Sequence, residues 1–402
     1  MTTKYLVLRT NIPIDPSFET NGAPRSSTLA GSRDLAIDTF DGHEWDAGEL
    51  RSDPRNLVVL DAEVVLELLQ PKSQKPADVE IETLLQRSGG IQTTKGVMGV
   101  KAHTSPYTGQ GVAVAILDTG IDDKHPAFFT KEIAKKNFTR EGTGDADVKD
   151  TVGHGTHCAA TVCAANVDNI RVGVAPGISK LCVGKVLGAQ GGTLEMLLRG
   201  LFWAVLEEKA SVVSMSLGYD LPGNAKRMID KGLDPALAVQ AAMRQQSDIS
   251  KGINTLRSFL ESRHPNVVFV AATGNESDRP RVVLDAGLPA AEFFSVGAIR
   301  PEGDDRWAVA PFSNGRAQIV APGVDVLSAA HTGGWAVMSG TSMATPHVAG
   351  VAALWTEKLR IAGTLFIPES VRSAIKAHAD RECVASRDIN AIGVGMVQAP
   401  QT

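Results

Sequence analysis

The run GVAVAILD at residues 111 to 118 is almost wholly apolar and ends in a carboxylate. A strand covered by helices on both faces reads this way, because neither face meets water. KLCVGKVL (180 to 187), ASVVSMSL (210 to 217), NVVFVAAT (266 to 273) and FFSVGAI (293 to 299) repeat the pattern. Between KLCVGKVL and ASVVSMSL lies TLEMLLRGLFWAVLEEK, with Leu194, Leu197, Leu198, Leu201 and Val205 on one helical face. Strand, crossover helix and strand make a right-handed unit of a parallel sheet, so an α/β fold is expected from about residue 100.

At 402 residues the chain has room for one large domain and an extension. Residues 1 to about 97 differ from the rest. KYLVLRT and NLVVLDAEVVLELL read as strands, but their surroundings are rich in Pro, Ser, Gly and acidic groups, and QPKSQKPADVEIE reads as a linker. The stretch 221 to 264 is polar and charged, with helical spacing at Ala236, Val239, Ala242 and Met243, and is expected to be a helical surface excursion. A net charge of −5 gives no electrostatic footprint for nucleic acid or an anionic membrane. The opening residues lack the apolar core of a secretory signal, and no run of about 18 apolar residues spans a bilayer. The expected location is therefore the cytoplasm. Cys158, Cys163, Cys182 and Cys383 match no CxxC metal pattern and are expected as free thiols.

Sites in such sheets lie beyond the carboxyl ends of the strands. After the first apolar run comes DTGID, with Asp118; after the fourth comes GNES, with Gly274 and Asn275. DTVGHGTHCAATVCAA opens a helix at His154, and GTSMATPHVAG opens another around Ser342. A serine hydroxyl attacks only when an imidazole takes its proton and a carboxylate fixes that imidazole. Asn275 and the backbone N–H of Ser342 are suited to hold the resulting oxyanion. Each residue alone has a plainer explanation: a turn acid, a satisfied histidine, a helix cap. The ordered set DTGID, HGTHCA, SMSLG, ATGN and GTSMATPHVAG does not.

This set resembles the subtilisin-like serine proteases (the subtilase family, peptidase family S8) over about residues 98 to 398. The resemblance implies a three-layer α/β fold, a mostly parallel central sheet flanked by helices, plus an N-terminal extension. Residues 1–97 would be a prosegment-like extension and linker; 98–402 would be the catalytic domain, with the helical insertion at about 221–264. It implies Asp118 as orienting carboxylate, His154 as general base, Ser342 as nucleophile and Asn275 as oxyanion donor of a serine endopeptidase that forms an acyl-enzyme.

A protein or peptide substrate would add itself as a strand against two edges. Those edges carry Gly188, Gly191 and Gly192, and Ser216, Leu217 and Gly218. Ala272, Gly274 and Glu276 would border the pocket for the residue before the cut, where Glu276 either favours a basic residue or stays solvated. A transpeptidase or peptide macrocyclase with the same triad is one alternative; a catalytically silent peptide-binding protein is another, opposed by the four intact residues. No cofactor or metal is expected to be required. The calcium positions of many relatives fall on Ala127 and Val167, which offer no side-chain oxygen, leaving Asp168 and Asn169 for a rearranged site. Cys158, one turn after His154, is expected as a buried thiol, with thiol-reagent sensitivity as the other reading. His157 lacks a third ligand for a metal, Pro346 suits an early helical turn, and His347 is expected to be structural.

Overall fold

In the computed structural model the five apolar runs form the strands Ala113–Asp118, Lys180–Lys185, Val212–Met215, Val268–Ala272 and Phe294–Pro301. The described residues are 3–10, 27–31, 35–42, 46–62, 64–76, 81–88, 90–265, 267–303, 306–364 and 368–402. The strands pair in parallel, with Glu132–Asn137 outside Lys180–Lys185, then Ala113–Asp118, Val212–Met215, Val268–Ala272 and Phe294–Pro301. Trp307–Val309 closes the far edge antiparallel, and Ile319–Pro322 runs parallel to Phe294–Pro301.

Alternation along each strand sends residues to two separate cores. Val114 and Ile116 pack with Cys158, Val162, Val348 and Val351 of two helices on one face. Ala115 and Leu117 pack with Leu197, Leu201, Leu256 and Leu260 on the other. The result is a three-layer α/β fold. Chain order reverses at Ala113–Asp118, which is flanked by Lys180–Lys185 and Val212–Met215, so its carboxyl end opens on the crevice where ligands bind in such sheets.

The N-terminal region is more regular than its composition implies. Strands β1 (Thr3–Thr10), β2 (Ser27–Gly31), β3 (Leu35–Gly42) and β4 (Asn56–Asp61), with helix α1 (Asp46–Ser52) before β4, form an antiparallel sheet in the order β2-β3-β1-β4. Leu6, Leu8, Leu35, Ile37 and Leu60 join the same apolar core as Leu197 and Leu256, while Tyr5, Val7, Phe40, Leu50 and Val59 cluster on the opposite side. Period-two burial on both faces hides the strand pattern behind near-continuous apolarity. Much of the Pro- and Ser-rich sequence around these strands, at 11–26, 32–34 and 43–45, lies outside the described residues.

Two further strands follow, β5 (Val65–Leu68) and β6 (Ser73–Pro76). The expected linker is thus partly a paired strand, and its residues 77–80 lie outside the described residues. The insertion folds as the helices Leu221–Asp230 and Pro235–Arg263, the second capped by Asp234, whose carboxylate accepts from the Ala236 and Leu237 N–H groups. Its buried face is Ala238, Ala242, Ile249, Ile253, Leu256 and Leu260; of the expected stripe only Ala242 is inside, and Ala236, Val239 and Met243 face solvent. The large residues of the C-terminal half set the docking face, and the N-terminal half follows it. Among the described residues no helix is long and apolar enough to cross a membrane.

Candidate active site

His154 begins the helix His154–Cys163, at whose start four backbone N–H groups have no partner within the helix. Asp150 takes one of these, that of Thr156, and braces the turn before the helix. Its Oδ1 accepts from Val152 and Gly153 N–H at 3.1 and 2.7 Å and from the Thr119 hydroxyl at 2.9 Å. Its Oδ2 accepts from the N–H and hydroxyl of Thr156 at 2.9 and 2.7 Å. Burial alone would raise its pKa, but the bonds from Thr156, Gly153 and Thr119 outweigh burial and hold the carboxyl below its usual range. Sequence reasoning passed over Asp150 as one acid in a loop; the signal for it was its place four residues before His154.

Thr119 carries this scaffold to the next element. Its hydroxyl accepts from Gly155 N–H, and its own N–H donates to Asp118 Oδ1 at 2.7 Å. Asp118 Oδ1 lies 2.8 Å from His154 Nδ1, with both side chains fully buried. Burial pushes the His154 pKa down, but the adjacent Asp118 carboxylate overrides it and raises the pKa well above the usual value. His154 Nε2 has no partner among the described residues.

Ser342 is the second residue of the helix Thr341–Ile361. Pro346 lacks an N–H, so the carbonyl of Ser342, four residues earlier, loses its helical partner. The Ser216 hydroxyl donates to that carbonyl at 3.1 Å, and Cys158 Sγ lies 3.5 Å from it. The cost of Pro346 therefore falls on a carbonyl, not on an unneeded N–H, and Ser216 offsets it. Burial raises the Cys158 thiol pKa, which disfavours the reactive thiolate.

Asn275 Oδ1 accepts from both the N–H and the hydroxyl of Thr341, at 2.8 and 2.9 Å, which turns its Nδ2 toward the cleft. The Thr341 hydroxyl in turn accepts from Gly274 N–H at 3.2 Å. Thr341 thus fixes the amide of Asn275.

A segment of the chain itself lies in this cleft. In β5, Leu66 and Val65 pair antiparallel with Gly192 and Thr193, while Leu68 and Glu67 pair with Leu217 and Gly218. The chain then passes Ser342, whose Oγ donates to the Leu69 carbonyl at 3.2 Å, and Asn275, whose Nδ2 donates to the Gln70 carbonyl at 3.1 Å. Beyond them β6 pairs with Trp335–Ser339. Residues 65 to 76 thus form a strap across the cleft, and Ser342 is engaged by the strap instead of by His154.

Of the expected edge residues, Gly192, Leu217 and Gly218 pair with the strap, and a Cβ on Gly218 would meet the Leu69 side chain. Gly188 and Gly191 bridge to each other in a turn that Glu141 secures, accepting from Ala189 N–H and pairing with the buried Lys185 at 3.3 Å. Ala272 ends its strand, and exposed Glu276 accepts from Asn314 Nδ2 at 2.7 Å.

Asp118, His154 and Cys158 are the group among the described residues whose ligand atoms lie close enough to hold a metal, within 4.8 Å. Ala127 is buried; Asn169 commits its amide to the Gly90 carbonyl. In the same loop the Arg171 guanidinium donates to the carbonyls of Gly173, Ala102 and Val174. His157 is held at the Val326 carbonyl through Nε2, and burial lowers its pKa to about 3. His347 is held at the Met343 carbonyl, with its pKa pushed by burial to about 4.

The subtilase family model matches residues 109–395. The chain belongs to the subtilase family. It is 38% identical over 252 residues to the intracellular serine protease of Paenibacillus polymyxa, covering 61% of this chain and 67% of that protein. It is 34% identical over 269 residues to the major intracellular serine protease of Bacillus subtilis (strain 168), covering 64% and 73%. A match to alkaline elastase YaB of Bacillus sp. (strain YaB) runs longer, 31% identical over 338 residues, with 83% and 75% covered. This subtilase is a serine-type endopeptidase acting on protein or peptide substrates.

Proposed function

We propose that Ser342 attacks the peptide carbonyl while His154 Nε2 takes the hydroxyl proton and Asp118 holds the His154 Nδ1–H. The Asn275 amide and the Ser342 backbone N–H then receive the oxyanion. His154 returns its proton to the leaving amine, and water, activated the same way, releases the acyl group from Ser342. The observation that carries this reading is the passage of a strand-paired peptide over Ser342 and Asn275, with the buried Asp118–His154 contact beside it.

On this reading residues 1–97 act as a prosegment whose strap is the first peptide the site meets, with the Leu69–Gln70 bond at the nucleophile. Asn275 donates to the Gln70 carbonyl in the uncut chain, so acylation at Leu69 requires that residue's oxygen to swing from Ser342 Oγ to the Asn275 amide. The Arg171 cation on three loop carbonyls and the engaged Asn169 support a fold independent of calcium at this loop, and a chelator leaves the melting temperature unchanged. The similarity to two intracellular serine proteases supports a cytoplasmic site of action.

The test is labelling by a fluorophosphonate. The wild-type chain acquires a covalent adduct on Ser342 and Ser342→Ala acquires none; an adduct of equal yield on both refutes the assignment.

A further inference from the structure

The insertion helix Leu221–Asp230 borders the strap where β5 leaves a side chain unburied. Alternation in β5 points Leu66 and Leu68 inward, while Glu67 stays half exposed on the other side. Arg227, in the last turn of that helix, donates from Nη1 to Glu67 Oε1 at 2.9 Å. Its Nη2 is shielded from solvent and has no hydrogen-bond partner among the described residues. One turn earlier Asn224 donates its amide to the Val65 carbonyl at 3.4 Å, so the helix follows the strap over two alternate residues. With Leu69 placed against Gly218 and Ser342, Glu67 is the third residue before the bond facing the nucleophile.

We infer that Arg227 makes this insertion a specificity element that selects substrates with an acidic residue third before the cut. The inference rests on the proposed catalytic role of Ser342 and on the strap lying as a substrate lies. Guanidinium geometry suits a carboxylate taken by two parallel bonds, and the strap's Glu67 uses one of the two available arms. A substrate carboxylate reaching both would bind better than the strap does at this position. Arg227 and Glu67 are 40% and 38% exposed, so the selectivity is modest: about fivefold for Glu over Gln, and about tenfold for Glu over Lys once charge repulsion is included.

The experiment compares kcat/KM for three quenched fluorogenic peptides, identical except for Glu, Gln or Lys at the third position before the cut. Enzyme concentration is set by fluorophosphonate titration. The wild-type enzyme is expected to prefer Glu over Lys, Arg227→Gln to flatten the series, and Arg227→Glu to prefer Lys. Equal turnover of the three peptides by wild-type enzyme that takes up the probe overturns the inference and leaves the protease reading intact. Absence of any probe uptake refutes both. A Glu preference that persists unchanged in Arg227→Gln, a variant that keeps a long polar side chain and labels normally, also overturns the inference.

Discussion

Asp150→Asn isolates the contribution of one carboxylate to the start of the histidine helix. The asparagine Oδ1 can still accept from Thr119, Val152 and Gly153, but its NH2 group would face the N–H and hydroxyl of Thr156, both of which donate to Oδ2. Two bonds to a charged acceptor are lost in a site that is 2% exposed. At about 1.5 kcal/mol each, the variant loses roughly 3 kcal/mol of stability at neutral pH. The pH dependence has a definite sign. The folded-state pKa of Asp150 is lowered from 3.8, so its contribution is complete above the unfolded value and fades as pH falls through the folded one. Denaturant unfolding in a Ser342→Ala background, free of self-digestion, measures this. The gap in stability between the chain that keeps Asp150 and the Asp150→Asn variant holds constant from about pH 5 to 8 and narrows below about pH 4. A gap under about 1 kcal/mol, or one unchanged down to about pH 3, refutes the argument that the ionised carboxylate anchors the helix.

Two further outcomes follow from the same site. The proposed mechanism requires a neutral His154 imidazole, and because Asp118 raises the His154 pKa well above 6.5, that form accumulates only as pH rises. The rate of Ser342 labelling by a fluorophosphonate climbs with pH above the range of a free histidine, and Asp118→Asn shifts the rise to lower pH; a rise that Asp118→Asn leaves unmoved contradicts this. Cys158 is 1% exposed, with its thiol pKa raised by burial, so iodoacetamide leaves it unmodified in the native chain at about pH 8. Mass spectrometry showing prompt alkylation of Cys158 in folded protein disproves its inertness.

The strands of the central sheet were legible because burial on both faces leaves no choice but unbroken apolarity, as in Ala113–Asp118. Asp118, His154, Asn275 and Ser342 were legible because each follows a strand end or opens a helix. The residues that hold them in place were not. Asp150 acts through its carboxylate, and Thr119 and Thr341 through a hydroxyl and a backbone N–H each; their types are ordinary in any turn. The insertion misled for a different reason: Ala236, Val239 and Met243 keep helical spacing, but larger residues further along decide which face docks. The β5 half of the strap falls within NLVVLDAEVVLELL, which reads as strand, but the β6 half was hidden because QPKSQKPADVEIE has linker composition and its pairing partner, Trp335–Ser339, lies far along the chain.

That strap is tied to the molecule on both sides: through β4 to a sheet seated on the core, and through β6 to the rest of the catalytic chain. A peptide arriving from solution therefore competes with a ligand present at one copy per site and at a local concentration in the millimolar range. Dilution cannot weaken such a competitor. On the proposed prosegment reading, only severing the chain converts it into an ordinary inhibitor whose departure depends on concentration, so activity in a population of these molecules should appear after a lag that shortens as free enzyme begins to clip its neighbours.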